Sequence, residues 1–406
     1  MTSPAPTRPT LSLELFPPRS SAAWGRIDRL LATAPDFVSV TYRPRFLAPG
    51  GAGEGADAAP ARPDTAGSRP APAPAGPCPD LTAPARSDPA APARPDTAPT
   101  DPVPRVRVVR ERNAAEDVAA HVISSSQVPL MAHLTCIGYT RRDTVEIVSH
   151  FLAMGVRRFL ALRGDPPPGF SPQDVHGELR YATDLVQVIR EVEASYFGDD
   201  RRHVTIAVAA YPAAADHLRE VEVLAAKQAA GADLAITQVF YEPEDYVALV
   251  RACTYAGVTI PILPGVIPLT DLTRLTRLES LTGVAVPRRL RDSLSTATGA
   301  SLVARGVDAT LGLSTALLEA GAPGLHLYTF NRTRPALDII SHLRLGRILD
   351  GAAPDREVRD AVDRGYLQAT PGRGPSFLRR GGRAAAGAPL QPAQPHTTET
   401  TIKENA

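Results

Sequence analysis

The feature that most constrains the fold of this chain is a regular alternation of short apolar runs with stretches of helical periodicity. Eight runs rich in apolar or β-branched residues predict β-strands, and they lie at 11–16, 37–42, 130–135, 159–163, 204–210, 234–240, 260–264 and 324–329. Between the runs, apolar residues recur three and four positions apart, as at Leu185, Val188 and Val192, which predicts helices. This alternation indicates an α/β fold with a parallel sheet, and eight units favour a closed (β/α)8 TIM barrel over an open doubly wound sheet.

Two segments are too poor in large apolar residues to belong to such a barrel. Residues 47–104 consist mainly of Pro, Ala, Gly, Asp and Arg, contain no Phe, Trp or Tyr, and include the run PARPDTA twice. Residues 372–406 have a similar composition. Because neither segment can bury enough apolar area to offset the entropy of ordering it, we predict that both are disordered. The remaining chain is predicted to form one catalytic barrel domain over residues 1–371, interrupted by the low-complexity insertion at 47–104.

Charge and cysteine content exclude several classes of protein. The formal net charge is +1, and the charged residues are dispersed, so the basic stripe that a nucleic-acid partner needs is not expected. The three cysteines, Cys78, Cys136 and Cys253, are far apart and outside any CxxC motif, which favours a reducing, cytoplasmic compartment. The sequence has neither an apolar run of membrane-spanning length nor a secretory amino terminus, so we expect a soluble protein without a membrane partner.

The first predicted strand carries a carboxylate in apolar surroundings. Alternation places Ser12 and Glu14 on one face and leucines on the other, and two prolines end the strand just after Phe16. Glu14 therefore lies at the carboxyl end of a strand, where TIM-barrel enzymes keep their catalytic groups. A glutamate in a strand is more often a solvated surface residue. Here the apolar neighbours would desolvate the carboxyl group and raise its pKa, so we expect Glu14 to act as a general acid.

Polar residues also occur near the ends of other predicted strands. If alternate positions share a face, four such pairs are Ser39 with Thr41, His133 with Thr135, Arg163 with Asp165, and Ala209 with Tyr211. A buried polar group without a partner costs about 1 to 3 kcal/mol, so the convergence of these residues at one end of a barrel favours a functional site. Taken singly, His133 could equally be a hydrogen-bonded core histidine, and Asp165 before Pro166 could simply begin a turn.

Common catalytic motifs give no alternative site. The run at 51–56 satisfies the G-x-G-x-x-A dinucleotide pattern, but no strand precedes it and no helix follows it. The sequence has no Walker-type G-x-x-x-x-G-K, no H-E-x-x-H and no G-x-S-x-G. We therefore expect no metal site, and chemistry that borrows an organic cofactor.

Several segments, in order and spacing, resemble the FAD-dependent, bacterial-type methylenetetrahydrofolate reductases. They are LELFPP at 13–18, FVSVTY at 37–42, AHLTC at 132–136, ALRGDPP at 161–167, AAYP at 209–212, ITQVF at 236–240, LPGVIP at 263–268 and LHLYTFNR at 325–332. The resemblance implies a (β/α)8 barrel that binds FAD noncovalently. It also implies that NAD(P)H reduces the flavin, and that the reduced flavin transfers hydride to methylenetetrahydrofolate for methionine biosynthesis.

The resemblance assigns roles to individual residues as well. Glu14 would be the general acid that helps to open the five-membered ring of the folate, and Asp165 would place a negative charge near the flavin and the resulting cation. The substrate would be bound by Gln238, Phe240 and Leu272. The FAD site would comprise Thr41, His133, Thr135, Arg163, Gly164, Asp165, Tyr211, His217 and Lys227, with Lys227 as a candidate partner of the FAD phosphates.

The chain also departs from the family pattern at three places. Arg43 and Pro44 follow the second strand where the family has a Gly-rich segment, the Tyr-Pro-Glu-x-His-Pro run is altered after Tyr211, and Leu272 replaces an aromatic residue of some relatives. These departures leave two alternatives open: a catalytically degenerate barrel that binds folate or a nucleotide, and a flavin-independent reductase of the same substrate. By resemblance, the expected partners are methylenetetrahydrofolate and NAD(P)H, with a possible homo-oligomer.

Overall fold

The computed structural model describes residues 8–18, 20–42, 45–47, 107–109, 113–167 and 169–350. The insertion predicted at 47–104, apart from Leu47, and the tail predicted at 372–406 lie outside these residues. The described strands are β1 (Thr10–Leu15), β2 (Phe37–Thr41), β3 (Arg45–Leu47), β4 (Arg107–Val109), β5 (Leu130–Thr135), β6 (Arg158–Leu162), β7 (Thr205–Ala210), β8 (Leu234–Thr237), β9 (Ile262–Leu263), β10 (Gly265–Val266) and β11 (Gly324–Tyr328).

The main sheet closes into a barrel through a strand that is broken in the middle. Its order is β10-β11-β1-β2-β5-β6-β7-β8-β9, and every pairing in it is parallel. β9 and β10 lie on either side of Pro264, which has no N–H to give to a ladder. Together they take the place of one strand between β8 and β11. All eight predicted strand runs are therefore present, and the α/β TIM-barrel fold is confirmed.

The barrel interior is apolar in its lower part and polar towards the carboxyl ends of the strands. One buried side chain from each of six strands fills the lower part, namely Phe37, Met131, Leu160, Ala207, Ile236 and Leu263. Because side chains alternate along a strand, residues two positions further on continue the same face. Ser39 follows Phe37 in this way and His133 follows Met131, and both are buried. The polar faces predicted for β2 and β5 thus point into the barrel.

The strand parity predicted for Arg163 and Asp165 is wrong. Leu160 faces the interior, and β6 ends at Leu162. Arg163 would consequently fall on the opposite face if the strand continued. Arg163 and Asp165 are instead exposed residues of the loop that follows the strand.

Ten helices surround the sheet among the described residues. They are α1 (Ser21–Leu31), α2 (Ala114–Ser125), α3 (Arg141–Ala153), α4 (Ala182–Phe197), α5 (His217–Ala229), α6 (Pro243–Tyr255), α7 (Leu272–Thr282), α8 (Arg288–Ser295), α9 (Gly299–Glu319) and α10 (Thr333–Leu345). Leu185, Val188 and Val192 are buried on α4, as their spacing predicts. None of these helices has the length and apolar character that crossing a membrane requires.

A short antiparallel pair, which the sequence analysis did not predict, joins the two ends of the insertion. β3 pairs with β4 so that Leu47 lies opposite Arg107. Phe46 packs with Ile137 and Val175, next to the loop that follows β5. The two ends of the insertion, Leu47 and Arg107, therefore lie opposite each other, close to the loop that follows β5.

Candidate active site

Glu14 occupies the carboxyl end of β1 and is only 7% exposed. In the parallel ladders its neighbours are Ser39 on β2 and Tyr328 on β11. Its Oε1 accepts a 3.1 Å hydrogen bond from Thr41 Oγ1, and its main-chain oxygen accepts a 2.6 Å bond from Thr329. The interpretation of Glu14 as a solvated surface residue is therefore wrong, because the strand holds it inside the barrel end.

A second polar side chain, His133, lies against Glu14 and Thr41. Its Nδ1 is 3.3 Å from Thr41 Oγ1 and 3.6 Å from Glu14 Oε1. Burial lowers the pKa of His133 to about 3, so the ring is neutral at physiological pH. Thr41 has a single hydroxyl proton. If Glu14 is ionised, Thr41 donates its proton to Glu14, and His133 Nδ1 must then donate to Thr41. If Glu14 holds a proton, the hydrogen bonds can run in the opposite direction, from Glu14 to Thr41 and from Thr41 to His133 Nδ1. This arrangement accommodates both protonation states of the carboxyl group.

Several buried polar atoms near the hydrogen-bonded group of Glu14, Thr41 and His133 have no hydrogen-bond partner among the described residues. They are Ser39 Oγ, His133 Nε2, Thr135 Oγ1 and His326 Nε2. His326 uses its other nitrogen, Nδ1, in a 2.8 Å bond with Ser12. Such atoms are uncommon in folded proteins because burying them without a partner is unfavourable. Each would find its partner in an ordered water or in a bound molecule that reaches it.

An open cleft of about 510 Å³ adjoins the carboxyl ends of β7 and β8. The residues lining it are Tyr211, Pro212, Ala213, Ala214, Ala215, Asp216, Arg219, Glu220, Gln238, Val239, Thr282, Gly283 and Val284. Gln238 follows β8 directly, and its backbone N–H donates to Ala210 at 2.8 Å. Two residues predicted to bind cofactor or substrate, Tyr211 and Gln238, are thus brought together on one cleft.

The loop after β6 lies within electrostatic reach of this cleft. Burial raises the pKa of Tyr211, the Glu220 and Asp165 carboxylates raise it further, and Arg163 lowers it. Gly164, between these two charged residues, has a φ of +84°, and a Cβ there would come within 2.9 Å of Thr135 Cβ. The loop therefore needs glycine to lie against the end of β5.

The three residues predicted to bind substrate lie in different environments. Gln238 lines the cleft, and Leu272 is a half-buried residue at the start of α7. Phe240 is only 1% exposed and stacks on Tyr246 at a centroid distance of 6.2 Å. The Phe240 side chain thus packs in the core between sheet and helices, and its contact with substrate stays a prediction.

Two other residues predicted to contact FAD, Lys227 and His217, are not among the residues that line the cleft. Lys227 is buried and donates a 2.7 Å hydrogen bond from Nζ to the carbonyl of Ala209. His217 is exposed at the start of α5, where it lowers the pKa of Asp245, a group whose pKa burial raises. Their proposed contacts with FAD stay predictions.

A cluster of two aromatic rings and two arginines at the same end of the barrel was not predicted as part of the site. Two of its members, Phe330 and Arg332, lie in the LHLYTFNR segment. Phe16 and Phe330 stack at 5.5 Å with an interplanar angle of 8°, and the Arg274 guanidinium lies 4.8 Å from the centre of the Phe330 ring. Arg332 is 3.3 Å from Asp271. Burial lowers the pKa of Arg274, and Arg332 lowers it further. The cluster presents two cations beside the end of β1.

The described residues hold no group of three His, Cys, Asp or Glu side chains placed to bind a metal ion. Cys136 and Cys253 are buried free thiols, and burial raises the pKa of Cys136 to about 12, so this thiol is a poor nucleophile. The groups that the site offers for chemistry are the buried Glu14 carboxyl group and the polar atoms around it.

Fold and site together define an α/β barrel protein with a buried acid at the carboxyl ends of its strands. The family model described as methylenetetrahydrofolate reductase matches residues 108–344. The chain therefore belongs to the methylenetetrahydrofolate reductase family.

Individual relatives match different shares of their own length. A probable methylenetetrahydrofolate reductase (NADPH) of Caenorhabditis elegans is 33% identical over 242 residues, which make up 58% of this chain and 35% of that protein. The 5,10-methylenetetrahydrofolate reductases of Pectobacterium carotovorum and Escherichia coli K12 are each 27% identical, over 80% and 79% of this chain and 87% and 86% of those proteins. The chain thus spans about a third of the nematode protein and most of each bacterial one.

Proposed function

We propose that this chain catalyses the reduction of 5,10-methylenetetrahydrofolate to 5-methyltetrahydrofolate by NAD(P)H, through bound FAD. The observation that carries the proposal is the Glu14 carboxyl group, buried at the catalytic end of a TIM barrel and hydrogen-bonded by Thr41. The family to which the chain belongs and the names of its relatives support the substrate and the reductant.

Glu14 suits the step in which the folate ring opens. The methylene carbon joins two nitrogens, and breaking one C–N bond to leave a reactive iminium cation requires a proton on the departing nitrogen. A buried carboxylic acid can hold that proton and deliver it to a bound substrate without competition from bulk water. Thr41 keeps the carboxyl group oriented, and Asp165, at the mouth of the site, carries a negative charge that would stabilise the cation.

The end of β5 fits a flavin ring. His133 Nε2 and Thr135 Oγ1 are buried polar atoms without partners among the described residues, and Gly164 lies against Thr135 in the adjoining loop. We assign these three residues to the ring of FAD, with Tyr211 and Arg163 beside them. When bound, FAD supplies a group that accepts hydride from a reduced nicotinamide and passes it on.

A second candidate is a flavin-independent reductase of the same substrate. The observation that favours it is the position of Lys227, which is buried and donates a hydrogen bond to the Ala209 carbonyl. FAD carries two phosphates, and the residue that the resemblance assigns to them is not presented to the cleft. This candidate keeps the role of Glu14 and changes only the source of hydride.

An absorbance spectrum of the purified protein, followed by turnover assays, separates the two candidates. We expect a yellow protein whose flavin absorbance bleaches on adding NADH or NADPH and returns on adding methylenetetrahydrofolate. Turnover by a colourless preparation, unaffected by added FAD, would favour the second candidate. Failure to form methyltetrahydrofolate with FAD and either nicotinamide would overturn both.

The cellular role follows from the product. A methyl group on tetrahydrofolate is the form used to make methionine, so we propose a cytoplasmic enzyme of methionine biosynthesis with no nucleic-acid or membrane partner. Expression in a bacterium that lacks its own reductase should remove its methionine requirement. A homo-oligomer is proposed on the resemblance alone, and sedimentation equilibrium of the purified protein would test it.

A further inference from the structure

The antiparallel pair β3–β4 is separate from the barrel sheet, and its strands are only three residues long. A two-stranded pair of this size is not stable alone in water, so its stability depends on what it packs against. Phe46, at the centre of β3, is paired with Val108 at the centre of β4, and both side chains are half-buried. This pair, the clasp, packs against the loops that follow β5 and β6.

Both central side chains of the clasp contact the loop that follows β5. Phe46 belongs to an apolar cluster whose other members are Ile137, Phe170 and Val175. Val108 lies against Gly138, where even a Cβ would collide with the valine side chain. Gly138 also has φ of +84°, so both its backbone conformation and the close approach of β4 require glycine there. The chain is thus shaped locally to receive the clasp.

Ile137 connects this packing to the residues that follow β6. Its backbone N–H donates a 2.9 Å hydrogen bond to the carbonyl of Arg163. Its side chain also lies against Gly164, where a Cβ would come within 2.7 Å of Ile137 Cγ2. Ile137 therefore packs in the cluster with Phe46 and, at the same time, supports the backbone that leads into Asp165.

The loop after β6 is held on the far side of Asp165 as well. Phe170 and Val175, which follow Asp165 in the chain, belong to the same apolar cluster as Phe46. Asp165 itself is exposed, so its position depends on how the backbone on either side of it is held. The effect of a charge on a reacting group depends steeply on its placement, and an error of about 1 Å can cost about 10²-fold in rate. Packing of the loop is therefore relevant to the chemistry.

We infer that the clasp is a positioning element of the reaction: through Phe46 and Val108 it fixes the loop after β6, and so determines where the Asp165 carboxylate lies relative to Glu14 and the bound ligand. Phe46 acts through Ile137 and the loop, and it is a positioning residue in this sense. The inference rests on the proposed function in taking Asp165 as the charge that stabilises the cation. It gives the two ends of the insertion a role in the site.

Phe46→Ala tests the inference directly, and Phe197→Ala is its matched control. Both phenylalanines are half-buried, but Phe197 stacks on His203 at the end of α4, near the opposite end of the barrel. Both variants should melt at a lower temperature because both lose apolar contacts.

The rate of the folate half-reaction, measured by stopped flow, separates a positioning role from a merely structural one. We expect Phe46→Ala to slow this half-reaction about tenfold by displacing the Asp165 charge, and Phe46→Leu to recover most of the rate by refilling the cluster. Phe197→Ala should react at the wild-type rate. An unchanged rate in Phe46→Ala, or an equal slowing in Phe197→Ala, would overturn the inference.

Hydrogen exchange in the protein freed of flavin provides a measurement that does not depend on the proposed function. The Ile137 amide is bonded to the Arg163 carbonyl, and the Cys136 amide is bonded to the Leu162 carbonyl at 3.0 Å. We expect both amides to exchange about tenfold faster in Phe46→Ala and at the wild-type rate in Phe197→Ala. Wild-type exchange of both amides in Phe46→Ala would sink the inference. Faster exchange in a protein that forms no methyltetrahydrofolate would support the hold of the clasp on the loop and overturn the proposed function alone.

A milder variant, Val108→Ala, extends the test to β4 and keeps it open if Phe46→Ala does not fold. It removes the methyl groups that lie against Gly138 and leaves the apolar cluster intact. We expect the same two effects, each smaller than in Phe46→Ala because fewer contacts are lost. A lower melting temperature with wild-type rates of reaction and exchange would show that the clasp is structural only.

Discussion

The two sides of the barrel's catalytic end are constructed differently. On the side formed by β1, β2, β5 and β11, Glu14, Thr41 and His133 contact one another below the surface. On the side formed by β7, β8 and the α7–α8 connection, polar residues such as Gln238 line an open cleft. The first side is prepared for proton transfer before any ligand arrives, whereas the second offers space and surface to a ligand.

The chain departs from the pattern quoted for its family on both sides. The segment after Tyr211 is altered on the open side, and Arg43 and Pro44 follow the end of β2 on the acid side, while Glu14, Thr41 and His133 themselves keep the pattern. A site of this kind can change how it holds a cofactor while keeping its acid. If the two sides are independent, a change on one side should leave the function of the other unaltered.

The largest effect is expected from Glu14→Gln. The amide keeps the shape of the side chain but cannot deliver a proton, so folate reduction should fall by about 10²- to 10⁴-fold. Reduction of the flavin by NAD(P)H needs no proton from Glu14 and should change little. Stopped-flow measurement of the two half-reactions separates these effects. An equal loss in both would show that the two sides are not independent.

The buried histidines of the acid side should make the fold sensitive to mild acid. Burial lowers the pKa of His133 and of His326 to about 3, against 6.5 for an ordinary histidine. Between pH 6.5 and 3 the unfolded chain therefore binds protons that the folded chain does not, and stability falls as pH falls. For each histidine the loss is about 1.4 kcal/mol per pH unit, or about 4 kcal/mol for the two together at pH 5.

Urea unfolding at pH 7 and pH 5 measures this loss, and His326→Asn isolates one of the two histidines. The asparagine can still bond to Ser12, so the variant should fold. We expect its stability to fall between pH 7 and pH 5 by about 2 kcal/mol less than that of the wild-type protein. The same pH dependence in both proteins would show that His326 takes up a proton in the folded state.

Sequence patterns predicted the acid side better than the open side, and the reason is physical. The period of two along β1, β2 and β5 determines which residues face the barrel interior, and Ser39, His133 and Glu14 are buried there. The period ends where a strand ends. Arg163 and Asp165 lie in the loop after β6, so alternation assigned them a face that the strand never reaches.

Beyond the ends of the strands, the burial of a side chain depends on tertiary packing, which a sequence pattern does not determine. Phe240 follows β8 and turns into the core against Tyr246, and Lys227 turns from α5 towards β7. A motif match places the backbone of such residues without fixing the direction of their side chains. The pair β3–β4 was missed because three-residue strands next to a low-complexity run carry no detectable period.

Gly164 connects the two sides, and replacing it tests how closely they fit. Gly164→Ala would strain a backbone with φ of +84° and bring a Cβ against Thr135 and Ile137. Gly169 is a matched control, because it has φ of +86° with no atom near the site of a Cβ. Thermal melts should show a loss of about 1 kcal/mol for Gly169→Ala and about 1 to 3 kcal/mol more for Gly164→Ala. Equal losses would mean that the loop moves away from β5 without penalty.

The smallest effect is expected from two hydroxyl groups that differ only in having a partner. Thr41 donates to Glu14, whereas the buried Thr135 hydroxyl has no partner among the described residues. Thr41→Val should therefore slow the folate half-reaction about tenfold, the worth of one hydrogen bond to a carboxyl group. Thr135→Val should leave that half-reaction unchanged, raise the stability of the flavin-free protein slightly, and weaken flavin binding if Thr135 contacts the ring. Stopped-flow rates, melting temperatures and flavin titrations compare the two variants. A slower folate half-reaction in both variants would show that proton transfer from Glu14 depends on Thr135 as well as on Thr41.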